Sequence, residues 1–344
     1  MSGRLERWLL TGGTILFFSM LMFCPEKAAE AVSDGMEVFI RKLVPVLFPY
    51  MVLSHCICTC GSLDPLNTLL PLGKLFGMAP CAFSVFAVGH LCGYPVGAKM
   101  TAEAVRQKKI SAAQGALLCG ISAGASPAFL FHVVGSGLWG DIRLGMVLWG
   151  AQIVFGLFSG WLGGKHCPCT SSSDRDSGGT IPFSRCFCEA VGGSAIQMVS
   201  VGGYIVFFTL LAELLACGPL SSILASVLEF STGIRKAVSF GGRTGLFLTG
   251  FSAGFGGLSV LAQTAHMLSG TGIPLRLYLC CRLGCGFFCG SMAVLYGLRF
   301  PEILMSGHPA ADTFSPADGM HMTWFAGLLV MMWYCTGIHR GAGR

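Results

Sequence analysis

The uncharged stretch TGLFLTGFSAGFGGLSVLAQTAHMLSGTGIPL, residues 244–275, decides how the fold of this chain is interpreted. A membrane-spanning helix needs about 20 apolar residues, so this stretch is too long for one simple helix and too short for two. Its centre, Gly254-Phe-Gly-Gly-Leu-Ser259, is rich in glycine, which relaxes the helical backbone. The stretch therefore predicts a membrane helix that is broken near its middle.

The composition of the whole chain agrees with a membrane protein. Of 344 residues, 53% are hydrophobic and 11% are charged, whereas a soluble domain carries about 25% charged residues. So few charges do not cover a soluble surface of this size, which excludes an ordinary cytosolic enzyme, a nucleic-acid-binding protein and a disordered chain. The expected partner is the lipid bilayer, and the net charge of +6 is typical of basic cytoplasmic loops.

Uncharged stretches along the chain predict an all-α polytopic membrane protein with about eight to ten transmembrane segments. The stretches cover residues 8–25, 43–63, 75–98, 110–140, 144–164, 190–212, 214–228, 244–275, 283–298 and 319–339. They divide the chain into an N-terminal helix and loop (1–36), a first repeat (37–164), a polar linker loop (165–185), a second repeat (186–298) and a loop with a C-terminal helix (299–344). A signal peptide remains an alternative for the N-terminal stretch, because Arg4 and Arg7 precede it.

The densest basic cluster conflicts with the simplest topology. Lys99, Arg106, Lys108 and Lys109 are expected on the cytoplasmic side. If the N-terminus is inside and the first three stretches each cross once, the cluster falls outside. A re-entrant hairpin around residues 64–77 removes the conflict, since such segments are tolerated where protein surrounds them.

The two halves of the chain show a matching order of landmarks, which predicts an internal duplication. Tyr50 corresponds to Tyr204 and Pro65 to Pro219, and both pairs are 154 residues apart. Gly93 corresponds to Gly254, which is 161 residues away. A seven-residue insertion near 230–236 accounts for the step between the two offsets. Repeated halves with broken helices in corresponding places are the usual sequence pointer to a transporter-like site near the bilayer midplane.

The segment Cys92-Gly-Tyr-Pro-Val-Gly-Ala-Lys99 predicts a second helix break, because glycine relaxes the backbone and proline removes a hydrogen bond. A helix beginning near residue 98 would offer free N–H groups to a polar ligand. The alternative is a kinked helix with an ordinary surface ion pair between Lys99 and Glu103. The candidate substrate-binding residues of this segment are Gly93, Tyr94, Pro95, Gly97, Lys99 and Glu103.

Two further segments complete the predicted site. The sequence Ala123-Gly-Ala-Ser-Pro127 interrupts the stretch 110–140 and contributes Ser126 and Pro127. In the stretch 254–263, a hydroxyl and an amide one helical turn apart are expected to bond a ligand or a neighbouring helix. The candidate substrate-binding residues of this stretch are Gly254, Gly256, Gly257, Ser259 and Gln263.

Charges inside apolar sequence are costly and therefore suggest function. Glu213 and Glu229 are the candidates for ion coupling, although Glu229 also fits the headgroup region. Arg282 follows Cys280 and Cys281, and we expect it to pair with one of these thiols more readily than with a substrate. Catalytic motifs and four-ligand metal sets are not evident, so the sequence predicts neither an enzyme, nor a metal site, nor a cofactor.

Four motifs in a fixed order resemble a known family, the sporulation integral membrane protein YlbJ family, over roughly residues 37–298. They are Gly93-Tyr-Pro-Val-Gly-Ala-Lys99, Ser126-Pro127-Ala-Phe, Leu228-Glu229-Phe-Ser-Thr-Gly-Ile234 and Gly254-Phe-Gly-Gly-Leu-Ser-Val260. The resemblance implies nucleoside recognition ("gate") domains, a transporter-like fold and the cytoplasmic membrane of a spore-forming bacterium. Such proteins tend to carry an asparagine pair where this chain has Ala123 and Gly124, which reduces the hydrogen-bonding capacity of the predicted pocket.

These observations predict a permease-like protein of sporulation that binds or moves a small polar solute, nucleoside-like or other, at a midplane site between two repeats. A sporulation membrane scaffold that transports nothing is the first alternative, and a metal-ion permease is the second. The expected partners besides the bilayer and the solute are a second copy of the chain or other sporulation membrane proteins.

Overall fold

The computed structural model describes residues 2–60, 81–164, 183–215 and 221–304, and these residues form helices and connecting turns without a β-strand. The helices before the central loop are α1 (Ser2–Phe23), α2 (Pro25–Glu37), α3 (Val44–Cys60), α4 (Cys81–Cys92), α5 (Val96–Arg106), α6 (Ala112–Ser122), α7 (Phe129–Leu138, which is π-helical) and α8 (Ile142–Gly164). The later ones are α9 (Phe183–Leu214), α10 (Ser221–Leu228), α11 (Phe230–Phe240), α12 (Gly242–Phe255), α13 (Gly257–Met267) and α14 (Leu275–Arg299). Segment 38–43 joins α2 to α3 as a π-helical turn.

Four helical stretches are long and apolar enough to cross a membrane: Ile142–Gly164, Ser184–Leu214, Gly242–Met267 and Leu275–Arg299. Shorter apolar helices accompany them within the described ranges. The all-α polytopic membrane fold predicted from the sequence is thereby confirmed. The predicted re-entrant hairpin at 64–77, most of the linker 165–185 and the C-terminal span 319–339 lie outside the described residues.

Helix α14 packs against α6, α8 and α12. Its closest neighbour is α12, and glycines set the spacing between the two. A methyl group added at Gly250 would lie 2.5 Å from the Cys289 carbonyl oxygen, and one at Gly254 would lie 2.6 Å from that of Cys285. Small residues four apart let membrane helices approach this closely, and they fix α12 and α14 as one antiparallel unit.

Three helices are interrupted where the sequence predicts a break. Helix α4 ends at Cys92 and α5 begins at Val96, while α6 ends at Ser122 and a new helix starts at Pro127. Helices α12 and α13 meet at Gly256, which has a left-handed φ of 85° that favours glycine. Helix α5 begins two residues before the predicted position.

A short helical hairpin corrects one sequence prediction. The stretch 214–228 was expected to be a membrane segment, but its described part contains the end of α9 and the eight-residue α10. Helix α10 folds back on α11, so that Ser222 Oγ donates to the Lys236 carbonyl at 3.3 Å and Gly233 packs against Ser226. Neither helix is long enough to cross the bilayer alone, so the pair inserts as a hairpin. Its turn is at Glu229.

Candidate functional site

The guanidinium of Arg282 is the point at which the three helix breaks meet. Arg282 lies in the first third of α14, and the residue is 2% exposed. One nitrogen donates to the carbonyl of Ala123, and another donates to the Tyr94 hydroxyl and to the carbonyl of Gly254. Each acceptor belongs to a different break. Within the described residues, no carboxylate forms an ion pair with this buried cation.

The acceptors explain how a cation is held in an apolar bundle. Ala123 follows the last residue of α6, and Gly254 lies in the last turn of α12. The final carbonyls of a helix lack intrahelical partners and carry the negative end of the helix dipole. A planar fork of five donors suits several such oxygens at once. Arg282 therefore caps two broken helices and satisfies backbone groups that lipid would leave unpaired.

Tyr94 connects the first break to the third. Its hydroxyl donates to the carbonyl of Ala253 at 3.1 Å, and its ring lies under the guanidinium of Arg282, 5.4 Å from ring centroid to carbon. Gly256 packs directly on this ring, because an added methyl group would lie 3.1 Å from the Tyr94 Cζ atom. Pro95 follows through a cis peptide and caps the start of α5.

The second break packs against the first and is stabilised by side chains. Gly93 has a φ of 81°, and an added methyl group would lie 2.8 Å from the Ser126 nitrogen. Gln152 of α8 accepts from the Ala125 N–H at 2.8 Å. Ser126 Oγ accepts from the Phe129 N–H at 3.3 Å, and Pro127 occupies the first helical position, as favoured at a helix start.

The polar pair predicted on α13 is present and internally bonded. Gln263 Nε2 donates to Ser259 Oγ at 3.2 Å, and both side chains are buried. Two other hydroxyls next to the breaks, those of Ser122 and Ser252, are buried without a hydrogen-bond partner among the described residues. A buried hydroxyl without a partner is costly, so these groups supply unused hydrogen-bonding capacity beside Arg282 and its breaks.

The tip of the α10–α11 hairpin also reaches this region. Glu229 is 1% exposed and caps α11, with its carboxylate accepting from Ser231 Oγ at 2.6 Å and the Thr232 N–H at 2.7 Å. Phe230 packs its ring on Tyr94, with centroids 5.8 Å apart. Gly257, with a φ of 79°, lies against the hairpin turn. We define the breaks site as Arg282 with the three helix breaks and this tip.

Other predicted residues lie elsewhere. Lys99 Nζ is directed to the Met51 carbonyl at 3.4 Å and to Ser194 Oγ at 3.5 Å. Glu103 accepts from Gln107 Nε2 at 2.7 Å and lies 4.0 Å from Arg106. Both line a narrow cleft, which does not include the breaks.

Two more predictions concern Gly97 and Glu213. Gly97 packs on the end of α6, since an added methyl group would lie 2.6 Å from the Ser122 carbonyl oxygen. Glu213 forms an ion pair with Lys236 at 2.8 Å, where α9 meets the hairpin, and both side chains are partly exposed. Glu213 therefore has a partner of its own away from Arg282.

The sequence prediction for Arg282 is corrected by these contacts. Its hydrogen bonds go to two main-chain carbonyls and to Tyr94, and Cys280 is exposed to the surroundings of the bundle. The charge of Arg282 could have identified it as a site residue, because an arginine between apolar residues of a membrane helix suggests a functional role. Gln152 was missed because the N–H that it accepts from, that of Ala125, lies 27 residues away along the chain.

A polar cluster outside the spans fixes one end of the bundle. Asp141, in the turn before α8, accepts from Tyr296 at 2.5 Å and from Arg143 at 3.0 Å. Partial burial acts to raise the pKa of Asp141, but the hydrogen bonds from Arg143 and Tyr296 outweigh it and lower the pKa. The cluster ties α8 to α14, the helix that carries Arg282.

Comparison with known proteins gives one clear similarity. The sporulation integral membrane protein YlbJ of Bacillus subtilis (strain 168) is 24% identical over 335 residues, which cover 83% of this chain and 82% of that protein. No family model matches the chain, and no solved structure matches it. The similarity over most of both chains, together with the all-helical membrane fold, supports membership of this chain in the YlbJ family.

Proposed function

We propose that this chain is a gate-type membrane protein of sporulation, in the cytoplasmic membrane, that binds or moves a small polar solute at the breaks site. The observation that carries the proposal is the convergence of three helix breaks and a hairpin tip on one buried arginine. Irregular backbone at membrane depth is tolerated where protein surrounds it or where it lines a cavity, and it commonly forms the binding site of transporters.

The contacts describe a closed arrangement. Tyr94 bonds the end of α12, and Gly93 leaves no space for a methyl group beside Ser126. Glycines with positive φ at Gly93 and Gly256 supply the backbone freedom that a hinge needs. Opening requires that α5 or α13 pivot at these glycines, which exposes the hydroxyls of Ser122 and Ser252 to a solute.

The polar groups of the site favour a solute with several hydrogen-bonding groups. Ser126, Ser259 and Gln263 supply hydroxyl and amide groups, and Arg282 supplies donors. A nucleoside is one such solute, and it is the class that the family resemblance implies. Glu213 and Glu229 are each held by a partner in this closed arrangement, so they would couple ions only after those contacts break.

One observation favours the alternative of a scaffold that transports nothing. The breaks are packed so tightly at Gly93 and Gly256 that they also serve as fixed joints of a rigid bundle. A metal-ion permease has less support, because no group of three His, Cys, Asp or Glu side chains comes together in the described part of the chain.

Solute release from vesicles separates transport from scaffolding. Proteoliposomes loaded with a mixture of nucleosides, amino acids, sugars and organic acids are diluted, and the retained solutes are measured by mass spectrometry. Wild-type protein is expected to release a specific solute that protein-free vesicles retain. Gln263→Leu is expected to slow the release about tenfold, corresponding to 1.4 kcal/mol, while Gln107→Leu on an exposed turn leaves it unchanged. Folded wild-type protein that releases no solute would refute transport.

A further inference from the structure

A cluster of titratable groups lies in the narrow cleft between α3 and α5, separate from the breaks site. The cleft is lined by Ser54, His55, Lys99, Met100 and Glu103. Lys99 is 9% exposed, and its nitrogen contacts the Met51 carbonyl at 3.4 Å and the Ser194 hydroxyl at 3.5 Å. A buried ammonium is sensitive to any further positive charge brought near it, because little solvent screens the repulsion.

His55 is the group in this cleft that can take up a proton as the pH falls below neutral, because histidine is the side chain whose ordinary pKa lies closest to neutrality. The charged groups that face it are Lys99 and Glu103 from α5 and Glu189 from α9. The carboxylates are the more exposed charges, with 35% of the Glu103 side chain and 51% of the Glu189 side chain accessible. Each also has a partner of its own, Glu103 in Gln107 and Glu189 in Arg185.

The exposure of each charged group determines whether repulsion from Lys99 or attraction from Glu103 and Glu189 dominates at His55. Solvent and salt screen exposed charges strongly and buried charges weakly. A proton added to His55 therefore meets more repulsion from the buried Lys99 than attraction from the two accessible carboxylates. The net force separates α5 from α3.

Movement of α5 reaches the breaks directly. The helix begins at Val96, immediately after the break that contains Gly93 and Tyr94. The next residue, Gly97, packs on the Ser122 carbonyl at the second break. The cleft and the breaks thus lie at the two sides of one eleven-residue helix.

We propose that His55 and Lys99 form a protonation site, and that proton binding at His55 loosens α5 and favours opening of the helix breaks. The last consequence rests on the proposed function, whereas the loosening of α5 does not. The ligand of the site is the proton. Repulsion between protonated His55 and Lys99 acts on α5, because Lys99 is part of that helix.

Hydrogen exchange of the full-length protein in lipid nanodiscs tests the proposal. Exchange of peptides covering 96–106 is measured at pH 5.5 and pH 7.5, after correction for the intrinsic effect of pH, with peptides of α14 as the internal reference. Wild-type α5 is expected to exchange about threefold faster at the lower pH. The difference is expected to vanish in His55→Gln and in Lys99→Met, and to persist in His132→Gln, which changes a half-buried histidine of α7.

The outcomes separate the two proposals. The protonation site is refuted if the exchange of wild-type α5 does not depend on pH, or if the pH effect persists in both variants. If His55→Gln does not fold, Lys99→Met carries the same test. A pH effect that depends on His55, in a protein whose vesicles release no solute, refutes the transport function and retains the protonation site.

Discussion

Replacement of Tyr94 by phenylalanine removes one hydroxyl from the point where the three breaks meet. The hydroxyl accepts from Arg282 and donates to the Ala253 carbonyl. Hydrogen bonds to charged groups contribute about 1.5–3 kcal/mol, and the ring contacts with Phe230 and with the guanidinium stay in place. We therefore expect Tyr94→Phe to lower the free energy of unfolding by about 2 kcal/mol and to lower the thermal midpoint by a few degrees.

The measurement is thermal and chemical unfolding in detergent, followed by intrinsic fluorescence. Tyr204→Phe is the matched control, because Tyr204 is half-buried and packs its ring on His266 with centroids 6.2 Å apart. In an Arg282→Lys background, the cost of Tyr94→Phe is expected to fall by about 1 kcal/mol, since the donor that used the hydroxyl is gone. A loss at Tyr94 no larger than that at Tyr204 would refute the role assigned to this hydroxyl.

Two further predictions concern packing and pH. Gly254→Ala is expected to lower the unfolding free energy by several kcal/mol, because the new methyl group would lie 2.6 Å from the Cys285 carbonyl oxygen. The control Gly203→Ala is expected to be neutral or stabilising, because nothing lies within 4 Å of the added methyl group. Equal thermal midpoints for the two variants would contradict the close α12–α14 contact. The lowered pKa of Asp141 means that its stabilisation is complete above about pH 4, its ordinary range, and is lost as pH falls through the folded-state value. Asp141→Asn is expected to flatten this acid limb of the stability curve, and an unchanged limb would show that other carboxylates produce it.

Local chemistry made the helix breaks predictable. Glycine and proline act on their own backbone, so Gly93, Pro127 and Gly256 mark the interruptions without knowledge of the rest of the chain. The short α10–α11 hairpin was harder to predict, because its apolar sequence fits a buried half-helix and a full span equally well. Glu229 was predicted as a candidate for ion coupling, and its capping contact with Thr232 was not predicted from the sequence.

Long-range contacts account for what sequence reasoning missed. The acceptors of Arg282 lie 159, 188 and 28 residues away along the chain, and no local pattern brings them together. The same applies to Lys99, whose partners are 48 and 95 residues distant. Its spacing to Glu103 predicts a surface pair, but the tertiary fold places it against α3 and α9 instead.

The short hairpin constrains how the protein is assembled in the membrane. Helices α10 and α11 are about 12 and 16 Å long, roughly half the thickness of the hydrocarbon core. Their buried turn holds a carboxylate, so the hairpin has no stable place in lipid before its neighbours exist. It contacts α9, which is made before it, and α12 and α13, which are made after it. We therefore expect the hairpin to settle in the bilayer only after the helices on both sides of it in the sequence have been inserted.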